Sequence, residues 1–469
     1  WRATPEATAR EVDAARGART VFTRPQRWVL LAAFALLVVF RLPHAWIDGR
    51  FLDEEGTVFL AYAWHHPSLD ALFRSFGGYL NLGANATTLL IARLVQSGVV
   101  PLVRAPYLTM TMGLAVQLLP AVLILSGRAA WLASRPAVIA ALLIIAIAPM
   151  TEEVFLNVLH IQFHLALCVA LVLALDVPRR RLVRACYGGL LFLAPLCGPL
   201  SIVILPLFAL RALIDRDRDR LVQLMPLAAG AAVQLLLFYG PNPLRGHLLD
   251  PGTIAAIIFV RLIAMPACGA DLAKHIGAAV HYSQVSATSW WWLMAAGAGL
   301  LFAVLIVLAA MGRDAAIWLT LASLSFAGAS FGFGMVIVPR PLLFDVMAGE
   351  RYDFLPLVLL GLTLIVLAMR SKSRGNSFYA GLCLIFLVSG ASSYSRPLPA
   401  LSTGPSWPAE VEAWRRDHRH SLAVWPSPWT PDLSQDTRPC SPLGRDLAQS
   451  TDPRYCESGW VAGYFRPPK

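Results

Sequence analysis

Apolar runs of roughly 15–22 residues recur along this chain, long enough to cross a bilayer as helices, and short stretches of Arg, Pro and Gly separate them. Inside lipid every backbone N–H and C=O must find its partner within the protein, so runs of this kind fold as helices. Only 14% of the 469 residues are charged, 57% are apolar, and the mean hydropathy is +0.60. A soluble domain carries about 25% charged residues. The expected fold is therefore an all-α polytopic membrane protein. The short alternating segments of a closed β-barrel are not found. The formal charge of +11 comes mostly from Arg at segment ends. Lipid headgroups and the positive-inside rule account for it, and no motif for RNA or DNA accompanies it.

The expected spans lie near 28–46, 107–126, 136–150, 157–175, 221–239, 290–311, 315–338, 353–369 and 377–391. Two further short ones fall within 186–214, where Pro195, Gly198 and Pro199 break the run. That gives about eleven transmembrane helices. Residues 1–27 are polar and Arg-rich and are expected in the cytoplasm, with the first span as an uncleaved anchor. The transmembrane domain covers 28–391, with a first periplasmic loop at 47–106 and a second periplasmic region at 240–289. Leaving the tail aside, this topology puts 20 Lys and Arg on the cytoplasmic side and 10 outside, the direction the positive-inside rule requires. Within the first loop, Val58, Leu60, Ala61 and Trp64 read as a short amphipathic helix that Pro67 breaks, and residues 76–80 read as a turn. Residues 86–103, interrupted by Arg93 and Gln96, suit a helix lying in the membrane interface. Residues 392–469 form a small, Pro-rich periplasmic cap. It holds Cys440 and Cys456, a disulfide candidate in an oxidising space.

Asp53-Glu54-Glu55 follows the first span directly. Ionisable groups beside hydrocarbon are expensive to keep and usually functional. One reading makes the triplet a general base. The other makes Asp53 a helix N-cap and the glutamates first-turn charge. An acidic Asp-Glu motif in the first outside loop, after an N-in span, resembles the GT-C class of membrane glycosyltransferases, and so does the layout of the whole chain. The resemblance implies a polyprenyl-phosphate sugar as donor and a bacterial inner membrane with the active site facing the periplasm. It also implies catalysis at Asp53, with Glu54 as the competing position. The sparse Lys (Lys274, Lys372 and Lys469 against 36 Arg) agrees with a GC-rich bacterial genome.

A lipid-phosphate leaving group calls for cations, and Arg suits phosphate because its fork binds two oxygens. Arg340 and Arg351 flank a late outside loop. Arg351-Tyr352-Asp353-Phe354-Leu355-Pro356 is similar to an Arg-Tyr…Pro pattern in late outside loops of bacterial GT-C enzymes. Lys274 is a third candidate. Both arginines equally suit topological anchors paired with Glu350 or Asp353. Read as a helix, Glu153, Asn157, His160 and His164 share one face, suited to sugar recognition, to a metal or to a polar seam between helices. Tyr79, Asn81 and Tyr352 could contact sugar or acceptor. No specific metal motif is present, although a divalent cation is compatible with the chemistry. The acceptor class is a glycolipid or polysaccharide. Other readings are an O-antigen ligase or polymerase, a flippase or transporter, and a non-catalytic subunit. P-loop, Rossmann and Ser-His-Asp motifs are missing.

Overall fold

The computed structural model describes residues 21–240, 247–248, 250–286, 288–312, 314–335, 339–370, 375–394, 396, 402–427 and 429–434. The first helix, α1 (Arg24–Arg41), enters the bundle with a capping box between Thr23 and Gln26. The first loop holds α2 (Leu82–Gln96), and α3 (Leu102–Ser126), α4 (Arg135–Ile147) and α5 (Ile161–Ala174) follow. A bent pair follows, α6 (Arg181–Leu196) and α7 (Pro199–Asp215), then α8 (Arg218–Phe238), α9 (Pro251–Cys268) and α10 (Ala270–Val285). The remaining elements are α11 (Trp291–Gly312), α12 (Ala315–Gly334), α13 (Arg351–Met369), α14 (Gly375–Ser393) and α15 (Trp407–Arg416).

Burial separates the centre from the rim. Every residue of α5 is buried, and 83% of the apolar window of α13 is covered, against 22% for α11 and for α14. Apolar side chains with no protein cover are what a bilayer takes up. Among the described residues, seven helices are long and apolar enough to cross a membrane, or eight if the bent pair counts as one. The chain is thus an all-α, polytopic membrane protein. The helices α4 and α5 are shorter, at 13 and 14 residues, and α1 carries Arg24, Arg27 and Arg41.

The break expected within 186–214 is present: α6 and α7 meet at 118°. Gly198 sits there at φ +150°, where a Cβ would overlap the Gln162 side chain. The expected turn at 76–80 is a hairpin. Ser75–Phe76 pairs antiparallel with Tyr79–Leu80 across Gly77 and Gly78, both with positive φ, the conformation a two-residue hairpin turn needs. The region expected outside at 240–289 differs. It contains α9, an 18-residue apolar helix. Its pattern was masked in the sequence by Arg261, which interrupts the apolar run and is fully buried.

Contacts gather the helix ends into two groups. Phe22 meets Arg135, Ser134 meets Met369, Arg370 pairs with Asp314, and Asp176 N–H donates to Arg128 O. Arg211 and Arg220 donate to carbonyls at the end of α5. This is an arginine-rich end. The start of α5, about 21 Å away by its 14 residues, lies with the acidic residues at the other end.

The described part of the cap packs on the first loop. Phe51, Leu60, Ile91, Leu102, Trp407, Val411, Leu422 and Val424 form a second core. Trp407 meets Phe51 edge to face at 5.1 Å and donates its ring N–H to Leu102 O at 3.2 Å. In α2, the expected interfacial helix, Arg93 donates to His66 O at 2.7 Å and Gln96 to Trp64 O at 2.8 Å. The two polar interruptions thus tie α2 to the preceding helix. Cys440 and Cys456 lie outside the described residues. Truncating Trp407 to Ala should cost about 3–5 kcal/mol of the second core. Limited proteolysis should then cut within 402–434 while the bundle stays intact, and a cap as resistant as in the wild type would refute this packing role.

Candidate functional site

Asp53 lies 7% exposed in a left-handed backbone conformation, φ +42°. Non-Gly residues avoid this region, and a site that holds one there must over-determine it. Three bonds do so. The Asp53 N–H donates to Trp425 O at 2.7 Å, the Thr57 hydroxyl donates to Asp53 O at 3.0 Å, and the Glu55 N–H donates to Leu52 O at 2.8 Å. Glu54, not Asp53, takes the N-cap position of the short π-helical turn Glu55–Leu60, and it caps without a side-chain hydrogen bond. Glu55 is the acid in the first turn of that helix, as expected, but it is buried and not solvated. It is 1% exposed, and its carboxylate accepts from Leu52 N at 3.2 Å and Val158 N at 2.9 Å. It therefore locks the acidic turn to the 148–160 segment.

That segment is the second wall. It carries Met150 and Leu156 with positive φ, so three of the four such non-Gly residues described flank this site. The helical stripe expected of Glu153, Asn157 and His160 is corrected here. Residues 152–154 make a single 3-10 turn and α5 begins only at Ile161. The loop has its own bonding. Leu156 N–H donates to Gln117 Oε1 at 3.1 Å, and Asn157 donates to the Glu153 and Phe155 carbonyls at 2.9 Å. Asn157 Oδ1 accepts from His160 N at 2.9 Å. His160 Nδ1 lies 2.9 Å from Glu153 O. A carbonyl only accepts, so Nδ1 carries the proton and Nε2 is left as an acceptor. Nε2 faces Glu153 Oε1 at 4.0 Å.

The third wall is the loop 340–350 with the start of α13. Arg351 pairs with Glu153 through Nη1, and its N–H donates to Glu153 Oε2 at 3.3 Å. The Arg351 guanidinium also lies 5.0 Å over the Tyr352 ring. Arg261 holds this loop. Its guanidinium bonds Leu343 O at 2.9 Å, Asp353 Oδ2 at 2.7 Å, Leu342 O at 3.2 Å, Ala348 O at 2.8 Å, and Asp345 O. Arg41 does the same for the second wall, reaching Ala146 O, Ala148 O and Glu152 at 2.6–3.0 Å.

Electrostatics separate the acids. Burial, then Glu54 and Glu153, push the Asp53 carboxyl well above its ordinary range, while Arg351 and Arg50 oppose them. Its side chain makes no hydrogen bond among the described residues. Burial also acts on Glu153, but the Arg351 guanidinium outweighs it and keeps Glu153 below the usual value. Burial lowers His160 to about 4, so it is neutral near pH 7. Glu350 is 3% exposed and neither of its oxygens has a donor. Burial and the facing Glu152 raise it strongly.

Asp53, Glu54, Glu153, His160, Arg351 and Tyr352 therefore gather at one end of the bundle. Arg340 and Lys274 do not join them. Both are exposed, and Lys274 Nζ rests 3.9 Å from Met347 Sδ on the outer side of the loop. Tyr79 accepts from Gln162 at 3.4 Å. Asn81 caps α2 and donates to Leu159 O at 3.1 Å. Among the described residues no group of three His, Cys, Asp or Glu is placed to hold a metal. Arg50 and Gln117 were not singled out in the sequence, Arg41 and Arg261 entered it only as charges of the outside segments, and Glu350 only as a partner for Arg340 or Arg351. Arg261 alone gave a signal, as a cation inside an apolar run.

Two outcomes follow. The folded pKa of Glu55 is raised to about 7 from 4.5, chiefly by burial. Its contribution to stability is full below pH 4.5 and is lost as pH rises through 7. Melting curves of the wild type should thus fall between those values relative to Glu55→Gln, and parallel curves would disprove it. Arg261→Met leaves Asp353 buried without its cation and should destabilise the protein by about 3–5 kcal/mol, read by thermal unfolding; an unchanged melting temperature would remove Arg261 from this role. Known protein families, curated proteins and solved structures offer no match to the chain.

Proposed function

We propose that this chain is an inverting glycosyltransferase that moves a sugar from a polyprenyl phosphate to a hydroxyl of a glycolipid or polysaccharide. In this reading the N-terminus is cytoplasmic, the spans number about eleven (α1, α3, α4, α5, both halves of the bent pair, α8, α11, α12, α13 and α14, with α9 not counted as a crossing), and the acidic end opens to the periplasm of a bacterial inner membrane. The observation that carries it is Asp53. It is a carboxylate with no hydrogen-bond partner among the described residues, held in a left-handed turn beside the Arg351–Glu153 pair.

The chemistry needs little else. The acceptor oxygen bonds to the anomeric carbon while the bond from that carbon to the phosphate oxygen breaks. The acceptor proton goes to Asp53, and the phosphate leaves as an anion toward Arg351. A raised pKa makes Asp53 a stronger base once ionised. Glu153 holds the Arg351 fork in place until phosphate competes for it. His160, neutral with Nε2 as acceptor, suits a sugar hydroxyl.

Transfer from a polyprenyl-phosphate hexose by the purified protein tests the reading. Asp53→Asn should lower the rate by about 10²–10⁴-fold, and Arg351→Ala should abolish it. The rate should rise with pH as Asp53 ionises, and Glu153→Gln should move that limb to lower pH by removing a neighbouring anion. The ligase or polymerase reading has one observation in its favour, the adjacency of His160 and Arg351. If Asp53→Asn and Glu54→Gln kept full activity while Arg351→Ala and His160→Ala lost it, the ligase reading would replace this one.

A further inference from the structure

The arginine-rich end holds a groove that the acidic site does not use. Helices α6 and α8 run side by side and touch where a Cβ on Gly230 would overlap the Phe192 carbonyl. Toward their N-terminal ends they part, because Gly188 has no side chain and its Cβ position is 3.9 Å from Pro226. The space between them is a cavity of about 360 Å³ lined by Arg181, Arg184, Val222, Gln223 and Pro226 among others.

Gln223 offers this groove a buried donor and Arg181 an exposed cation. Gln223 is 3% exposed. Its Oε1 accepts from Arg220 at 3.2 Å, and Arg220 is itself fixed on Leu175 O at 2.8 Å. Arg only donates, so the amide orientation is set and the Gln223 NH₂ is the other end. That Nε2 has no acceptor. A buried donor without a partner is costly, and a native protein rarely keeps one without something to fill it. At the mouth, Arg184 is bidentate to Asp219 at 2.9 and 3.1 Å. Arg181 is exposed and makes no ion pair among the described residues. Residues 179–220 hold eight Arg against three Asp. Both helix N-termini add partial positive charge. Leu182 and Met225, 78% and 71% exposed, flank the groove.

We propose that this groove binds the phosphodiester headgroup of an acidic phospholipid, with its acyl chains lying on the exposed apolar faces of α6 and α8. The non-bridging oxygens accept from Gln223 and Arg181, and the net negative charge answers the unpaired arginines. A choline headgroup would bring a cation against Arg181. An inorganic phosphate would fill the donors but leave the flanking Leu182 and Met225 bare.

Native mass spectrometry of the full chain in detergent tests this, with phosphatidylglycerol and phosphatidylcholine offered in equal amounts. Wild type should retain phosphatidylglycerol selectively. Gln223→Glu keeps the bond to Arg220 but turns a donor into an anion. It should lower retention by about tenfold or more, since one charge-assisted bond is worth 1.4 kcal/mol or above. Arg181→Ala should also weaken retention. Arg416→Glu, on the cap helix, should leave it unchanged. Phosphatidylglycerol should raise the melting temperature of wild type and not that of Gln223→Glu. Equal retention of both lipids, undiminished retention by the groove variants, or equal stabilisation by inorganic phosphate alone would overturn the proposal.

Discussion

The buried guanidinium of Arg261 is the interaction on which the acidic end depends. It has 0% exposure, and it sits in a helix apolar enough to cross a membrane. A cation there is tolerated only when every donor is used. Arg261 uses its donors on the side chain of Asp353 and on four backbone carbonyls between 342 and 348. Leu342 and Leu343 end a four-residue helix, Arg340–Leu343, and the carbonyls of Leu342 and Asp345 also accept backbone N–H groups at 3.2 and 3.1 Å, so Arg261 adds a second bond to those two and ties the successive turns together. The turn Phe259–Ala264 around it is π-helical, a local widening that often accompanies function. Fixing that loop fixes Glu350 and Arg351 at the start of α13, and Arg351 is the cation that meets Glu153.

The same end carries more acids than cations, and the way each acid is satisfied decides what it can do. Glu152, Glu153 and Asp353 each have their own arginine, in Arg41, Arg351 and Arg261. Glu55 is bound by two backbone N–H groups. Glu350 faces Glu152, and burial with that neighbour pushes its carboxyl well above the ordinary range. The Asp53 carboxyl has neither a hydrogen bond nor a dedicated cation among the described residues. It feels Arg50 and Arg351 only through space, against Glu54 and Glu153. A carboxyl in that position exchanges a proton with least disturbance to its surroundings. This distinguishes it from Glu55, Glu152, Glu153 and Asp353, whose bonds hold the walls together.

Much of this was legible in the sequence where local chemistry decides. The turn at Gly77-Gly78, the Pro195–Pro199 break and the all-α, membrane-spanning character of the long apolar runs were read correctly, because a glycine, a proline or a hydrocarbon run has the same meaning in any fold. The Glu153–His160 stripe did not, because helical spacing was assumed where Gln117 and Glu55 take the backbone N–H groups of Leu156 and Val158. Those competitors lie far away in sequence. Glu153 and His160 still meet, but through a curled loop. Arg41 and Arg261 were read as topological charges, since nothing local distinguishes an arginine that snorkels from one that pins a loop.

The cap belongs to the site as well as to the fold. The strained turn at Asp53 costs about 1–3 kcal/mol by its backbone alone, and the turn's own hydrogen bonds share the work of holding it with residues far along the chain. Leu52 and Trp425 form a parallel bridge, in which Asp53 N–H donates to Trp425 O and Trp425 N–H to Phe51 O. Arg50 lies 5.3 Å over the Trp425 ring. One residue of the cap therefore orders both the backbone of the candidate base and a cation that tunes it. Trp425 is in turn held by its ring N–H on Pro405 O at 2.8 Å and by Gly404, where any side chain would strike the indole. Order in the cap and the conformation of Asp53 are thus linked through Trp425.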